Sequence, residues 1–141
     1  MENKVKTKVM FVYGSLKEGF LNHQLIEEIT SNKKLGTGFV RGYKLYSLYV
    51  TPAIKPSDIE DRVFVEKYAL TEPCFNRIDR MEQKAGYSPV VVVDNDGVKG
   101  TIYVYNLAVK NEKHIPRGVW TKDCEKIIVE EPKDEGEVSK D

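Results

Sequence analysis

The sequence has few of the features that mark exported, metal-binding or membrane proteins. Its 141 residues include two cysteines and two histidines, and these are not closely spaced. We therefore expect reduced thiols, a cytoplasmic location, no zinc site and no other metal. No apolar run is long enough to cross a bilayer, and none follows the N-terminus, so we expect no membrane partner and no secretory signal.

Net charge is also lacking. Lysine plus arginine (22) equals aspartate plus glutamate (22), so the chain has no overall field that would attract nucleic acid. Hydrophobic residues make up 40% and charged residues 31%, as in an ordinary globular domain. We expect a single domain over residues 1–129 and an acidic, disordered tail over residues 130–141. The composition predicts no particular oligomeric state.

An apolar, β-branched run stands near the start of the chain and ends at a glycine. Residues 9–13 are typical of a strand buried on both faces, and Gly14 and Ser15 cut that strand short. Glycine lets a ligand approach the main chain, and successive free amides form a concave seat for an anion. The alternative is that Gly14 and Ser15 only turn the chain.

The remaining pattern predicts a mixed sheet with few helices. Leucine and isoleucine at helical spacing predict a helix over residues 21–29, and two prolines predict a loop over residues 51–58. Strands are expected at residues 39–48, bent at Gly42, and at residues 62–70. A helix capped by Thr71 and stopped by Gly86 follows, and then a hairpin of residues 88–94 and 98–107 around Asn95-Asp96-Gly97. The fold class is therefore α+β: a small mixed sheet curling toward a barrel, with flanking short helices.

Several familiar catalytic arrangements are excluded. Residues 14–19 have the outline of a phosphate loop, but Phe20 stands where that motif needs lysine. Ser15 is not in a nucleophile elbow. We expect solvated imidazoles at His23 and His114 and a buried, unreactive thiol at Cys74.

Glu82 is the acidic residue of most interest. It ends the segment Ile78-Asp79-Arg80-Met81-Glu82, near the expected inward face of the second helix. An inward carboxyl group could act as a general acid or base. The alternative is an ordinary exposed glutamate on a helix.

Several short segments, taken in order, resemble one known family, over roughly residues 8–120. They are Phe11 to Leu16 with Gly19 and Asn22, Leu35-Gly36, Gly42 to Tyr46, Pro52-Ala53-Ile54, Ile78-Asp79-x-x-Glu82 with Tyr87, Gly100 to Tyr105, and Gly118-Val119-Trp120. Their order and spacing resemble the γ-glutamylcyclotransferase-like family.

The resemblance implies a small β-barrel with flanking helices and a cavity between the glycine-serine turn and a catalytic glutamate. By this resemblance Glu82 is the acid/base residue and Tyr87 lines the pocket. The substrate-binding loop is Tyr13, Gly14, Ser15 and Leu16. The family usually has glycine after its glutamate, whereas this chain has Gln83, which could redirect the Glu82 side chain.

The implied reaction converts a γ-glutamyl amine or amide into 5-oxoproline and a free amine. The α-amino nitrogen of the substrate is tethered to the carbonyl that it attacks, so no nucleophile, metal or cofactor of the protein is needed. Free amides at residues 14–16, helped by the next helix N-terminus, would bind the α-carboxylate. Two alternatives stay open: a non-catalytic binding or regulatory module, and amide hydrolysis by an activated water.

Overall fold

A computed structural model describes residues 6–49 and 51–125, except for the side chain of Glu112. The strands of this part, numbered along the chain, are β1 Thr7–Val12, β2 Lys33–Arg41, β3 Tyr43–Ser47, β4 Pro52–Pro56, β5 Arg62–Thr71, β6 Tyr87–Val93, β7 Lys99–Tyr105 and β8 His114–Ile115. The helices are α1 Gln24–Glu27 and α2 Glu72–Lys84, and 3₁₀ turns cover Asn111–Lys113 and Lys122–Glu125. The predicted acidic tail lies outside the described residues.

The strands pair as two sheets. A five-stranded sheet has the order β2-β5-β1-β7-β6, and a three-stranded sheet has the order β4-β3-β8. In the larger sheet β1 is central, antiparallel to β5 and parallel to β7. The α+β class with a mixed sheet is confirmed. The predicted barrel is not: in the described part of the chain the two sheets do not join into a closed barrel.

The larger sheet is curled, as predicted, because its two ends meet. The turn between β6 and β7 reaches β2, the opposite edge strand. Asn95 N donates to Phe39 O at 3.0 Å, and Phe39 N donates to Asn95 Oδ1 at 2.7 Å. The hairpin that contains this turn is also confirmed, and Gly97 has the positive φ (82°) that its position requires.

The core lies on both faces of β1, as the apolar run predicts. Met10 and Val12 pack on one side with residues of α2, and Phe11 packs on the other side with Trp120. α2 contributes Cys74, Phe75 and Ile78 to the first cluster, so the predicted burial of Cys74 is confirmed. No helix of the described residues is long and apolar enough to cross a membrane.

The first predicted helix is much shorter than its spacing suggests. α1 is a single turn, and Leu21, which we expected on its buried face, is 76% exposed. Tight turns occupy the chain instead, closed by the bonds Lys17 N to Gly14 O, Phe20 N to Lys17 O and His23 N to Phe20 O. Among the apolar residues expected on this helix, Leu25, Ile26 and Ile29 pack in the core and Leu21 does not, so the apolar spacing reflects core contact rather than a continuous helix.

The predicted loop at residues 51–58 is wrong, because this segment contains a strand. Pro52 and Pro56 lie at the two ends of β4, paired with Ser47 and Tyr43. β4 is an edge strand. Proline has no N–H to donate to a neighbouring strand, and at the ends of an edge strand this donor is not needed.

Both histidines are half-buried, so the prediction of solvated side chains is wrong. His23 Nδ1 lies 2.8 Å from Leu16 O, and its ring also packs against Tyr68. His114 pairs with Tyr46 across β3 and β8, and the rings of these two residues are in contact. The second helix is confirmed: Thr71 is its N-cap, although the Thr71 side chain makes no capping hydrogen bond.

Candidate active site

The turn after β1 leaves three main-chain N–H groups without a hydrogen-bond acceptor among the described residues. Lys17 N closes the turn by donating to Gly14 O at 3.0 Å. Asn22 holds Ser15 twice, because its Nδ2 donates to Ser15 Oγ at 2.9 Å and its N donates to Ser15 O at 2.8 Å. The N–H groups of Gly14, Ser15 and Leu16 donate to no described residue. They can therefore bind an anion.

The predicted help from a helix N-terminus is wrong. α1 begins only at Gln24 and is four residues long, so it is too short to add a useful dipole at Leu16. Any anion at this turn would therefore be held by the main-chain amides of the turn itself.

α2 presents Glu82 to the interior. Glu82 lies four residues after Ile78, which is fully buried, and so shares its face of the helix. The Glu82 side chain is half-buried, so the alternative of a freely exposed glutamate does not apply. Gln83 points outward, where its Nε2 donates to Asp79 Oδ2 at 2.8 Å. The departure from the family pattern at Gln83 therefore leaves Glu82 directed inward.

A cavity of about 230 Å³ joins the turn to Glu82. All the residues that the sequence indicates as site residues line it, and most of the other lining side chains are apolar. The lining consists of Met10, Phe11, Val12, Tyr13, Gly14, Ser15, Leu16, Asn22, Thr51, Pro52, Met81, Glu82, Ala85, Tyr87 and Tyr103. Segments nearly seventy positions apart thus meet at a single chamber.

The environment of Glu82 favours its neutral form. Burial raises the pKa of Glu82 to about 7, and no described residue compensates by donating a hydrogen bond or forming an ion pair. Burial and then the nearby Glu82 raise the pKa of Tyr87 to about 12. A carboxyl group with a pKa near neutrality can both take up and release a proton at physiological pH.

Three tyrosine hydroxyls near Glu82 donate to other acceptors. Tyr13 Oη donates to Tyr103 O at 2.7 Å, and Tyr87 Oη donates to Pro52 O at 2.5 Å. Tyr103 Oη donates to Asp79 Oδ1 at 2.5 Å. The hydroxyl oxygens can therefore accept hydrogen bonds, while their protons are committed.

Sequence reasoning missed Tyr103, Asn22 and Met81 as lining residues, and Asp79 as a partner of Tyr103. Asn22, Asp79 and Tyr103 each stand in a segment that carries the family resemblance. The resemblance therefore marked these positions, but no sequence pattern assigned them a role in the site. In the described part of the chain, no three histidine, cysteine, aspartate or glutamate side chains are grouped closely enough to hold a metal ion.

A model of the family described as gamma-glutamyl cyclotransferase, AIG2-like, matches residues 10–122. The chain belongs to this family. The match extends from β1 to the last 3₁₀ turn and so includes both the turn at Gly14 and the helix that carries Glu82.

Relatives of the chain agree with this family assignment. PH0828 of Pyrococcus horikoshii, provisionally named a gamma-glutamylcyclotransferase, is 33% identical over 92 residues, which cover 65% of this chain and 74% of that protein. Its crystal structure superposes with a TM-score of 0.68 at 28% identity, covering 79% of this chain and 88% of that one.

Two further solved structures have the same fold. The solution structure of ytfP from Escherichia coli has a TM-score of 0.61 at 29% identity and covers 82% of this chain and 97% of its own. An AIG2-like protein from Mus musculus has a TM-score of 0.68 at 18% identity, with 82% and 88% coverage. The mouse protein supports the fold alone.

Proposed function

We propose that this member of the family is a γ-glutamyl-amine or γ-glutamyl-amide cyclotransferase, in which Glu82 is the general acid/base. One observation carries the proposal: a carboxyl group without a cationic partner shares a cavity of about 230 Å³ with the free amides of Gly14, Ser15 and Leu16. A γ-glutamyl substrate has an α-carboxylate that suits the amides and an α-ammonium that suits the carboxyl group.

The substrate would lie between these two groups. The N–H groups of residues 14–16 would donate hydrogen bonds to its α-carboxylate, and Glu82 would face its α-ammonium and γ-carbonyl. The oxygens of Tyr13 and Tyr87, whose protons are already donated, could accept further hydrogen bonds from the ammonium group.

The reaction needs proton transfer rather than a protein nucleophile. Glu82 removes a proton from the α-ammonium, and the free amine attacks the γ-carbonyl carbon and forms the C–N bond of a five-membered lactam. The bond between the carbonyl carbon and the leaving nitrogen then breaks as Glu82 returns the proton to that nitrogen. In all, the α-nitrogen loses two protons when the ammonium group becomes the lactam N–H. The leaving nitrogen gains two protons and is released as an ammonium group, so the protons balance.

The apolar walls of the cavity fit this chemistry. They keep the pKa of Glu82 near neutrality, where one group serves first as base and then as acid. Tethering of the attacking nitrogen to the γ-carbonyl lowers the activation free energy by several kcal/mol. The reaction therefore does not need Ser15 as an activated nucleophile.

The identity of the products tests the proposal against its alternatives. The purified protein is incubated with γ-glutamyl alkylamines, γ-glutamyl amides and γ-glutamyl dipeptides, and the products are identified by mass spectrometry and NMR. We expect 5-oxoproline and the free amine. Free glutamate in place of 5-oxoproline would indicate hydrolysis. Ligand binding without turnover across the panel would indicate a binding module.

A further inference from the structure

We propose that Asp79 is a positioning residue for Glu82: by accepting the Tyr103 hydroxyl, it keeps the proton of that hydroxyl directed away from the Glu82 carboxyl group. The inference concerns the proton affinity of Glu82, and its importance for catalysis rests on the function proposed above.

The geometry begins with two hydrogen bonds on one carboxylate. Asp79 Oδ1 accepts the Tyr103 hydroxyl at 2.5 Å, and Asp79 Oδ2 accepts Gln83 Nε2 at 2.8 Å. Asp79 and Gln83 are four residues apart on the same helix, so Gln83 fixes the orientation of the carboxylate. The Tyr103 side chain is held as a result.

Tyr103 is the residue through which Asp79 reaches the site. It is 4% exposed, it lines the same cavity as Glu82, and its hydroxyl interacts electrostatically with Glu82. A phenol released from Asp79 could turn its proton toward the Glu82 carboxylate. Such a hydrogen bond would favour the ionised carboxylate and weaken it as a base.

The other tyrosine hydroxyls near Glu82 also direct their protons away from its carboxyl group. The ionisable side chains that interact with it are Tyr13 after β1, Tyr87 on β6 and Tyr103 on β7. Each donates its proton to an acceptor other than Glu82. In the described part of the chain no lysine, arginine or histidine pairs with Glu82. Among the three acceptors only Asp79 is a side chain, so only it can be removed by substitution.

The test measures the proton affinity of Glu82 without substrate. The side-chain carboxyl carbons of ¹³C-glutamate-labelled protein are titrated by NMR, and the Glu82 signal is assigned by its absence from Glu82→Gln. We expect Asp79→Ala to lower the pKa of Glu82 by about one pH unit. We expect Asp79→Asn, which keeps an oxygen acceptor for Tyr103, to lower it much less.

Repeating the Asp79→Ala substitution in a Tyr103→Phe protein separates the proposed role of Asp79 from the simple loss of its negative charge. Tyr103→Phe has no hydroxyl to release, so adding Asp79→Ala to it should leave the Glu82 titration unchanged. Equal shifts in Asp79→Ala and Asp79→Asn, a shift that persists in Tyr103→Phe, or no shift in a folded Asp79→Ala protein would each overturn the inference. Thermal unfolding confirms that the variants are folded. Because no turnover is measured, absence of cyclotransferase activity would refute the proposed function without deciding this point.

Discussion

A Cβ atom on Gly14 would lie 2.2 Å from Pro52 Cγ, so the turn after β1 and the start of β4 meet where no side chain fits. Pro52 also accepts the Tyr87 hydroxyl through its carbonyl oxygen. A single proline thus contacts the proposed anion-binding turn and a tyrosine of the cavity. The position of the turn therefore depends on β4, the strand that the sequence pattern did not predict.

Gly14→Ala should displace the turn or Pro52, because the added methyl group cannot be accommodated. We expect the free energy of unfolding to fall by about 1–3 kcal/mol, the usual cost of overpacking. We expect kcat/KM to fall by about 100-fold, because the amides move relative to Glu82. Urea denaturation and steady-state kinetics measure the two effects.

The matched control removes the obstacle. Pro52→Ala deletes the Cγ atom, so Gly14→Ala should be less damaging in that background than in the original chain. Equal losses in the two backgrounds would mean that Pro52 is not what excludes a side chain at Gly14.

Glu82→Gln should stabilise the protein at high pH. Burial raises the pKa of Glu82 from 4.5 to about 7, so the folded state holds this proton more tightly than the unfolded state does. The contribution of Glu82 is therefore complete below pH 4.5 and is lost as the pH rises toward 7. At pH 8 the variant should be more stable by up to about 3 kcal/mol, and at pH 4 the difference should vanish.

Urea denaturation at several pH values measures this difference. Glu72→Gln on the exposed first turn of α2 is the control and should show no such pH dependence. A Glu82→Gln effect that is constant across pH would mean that Glu82 has an ordinary pKa.

The ion pair of Lys67 and Asp94 connects β5 to the turn between β6 and β7. Lys67 Nζ lies 2.7 Å from Asp94 Oδ2, and the two side chains are 5% and 0% exposed. Burial raises the pKa of Asp94, but Lys67 and two main-chain N–H groups outweigh this effect and hold it below its usual range. The carboxylate therefore stays ionised although the Asp94 side chain is inaccessible to solvent.

Lys67→Met should leave that carboxylate without its cation. We expect the free energy of unfolding to fall by about 3–5 kcal/mol, because removing one partner exposes the desolvation cost of the other. Chemical denaturation measures the loss. Adding Asp94→Asn, which removes the charge but keeps an oxygen acceptor for the N–H groups of Asp96 and Val98, should recover part of the loss. A double variant that is less stable than Lys67→Met alone would show that the unpaired charge is not the cause.

Much of the site could be predicted because its signals are local. The glycine after an apolar run predicts the turn, and the four-residue spacing from Ile78 predicts the inward face of Glu82. Both follow from the geometry of one element. The hairpin around Gly97 is predictable for the same reason.

The rest depends on contacts between distant segments. β4 forms as a strand because β3 pairs with it, which outweighs the turn preference of Pro52 and Pro56. The bond between Tyr103 and Asp79 joins positions 24 residues apart on different elements, and no spacing rule indicates it. The outward direction of Gln83 likewise follows from Asp79 and not from the sequence of the motif.

The most direct measurement is the rate of 5-oxoproline formation by Glu82→Gln, with Glu72→Gln as the matched variant on the same helix. If Glu82 is the general acid/base, kcat falls by about 100-fold to 10,000-fold in Glu82→Gln and is unchanged in Glu72→Gln. The kcat/KM of the unaltered protein should also fall below about pH 7, where Glu82 becomes protonated. A folded Glu82→Gln protein that forms 5-oxoproline at the original rate would contradict the assignment.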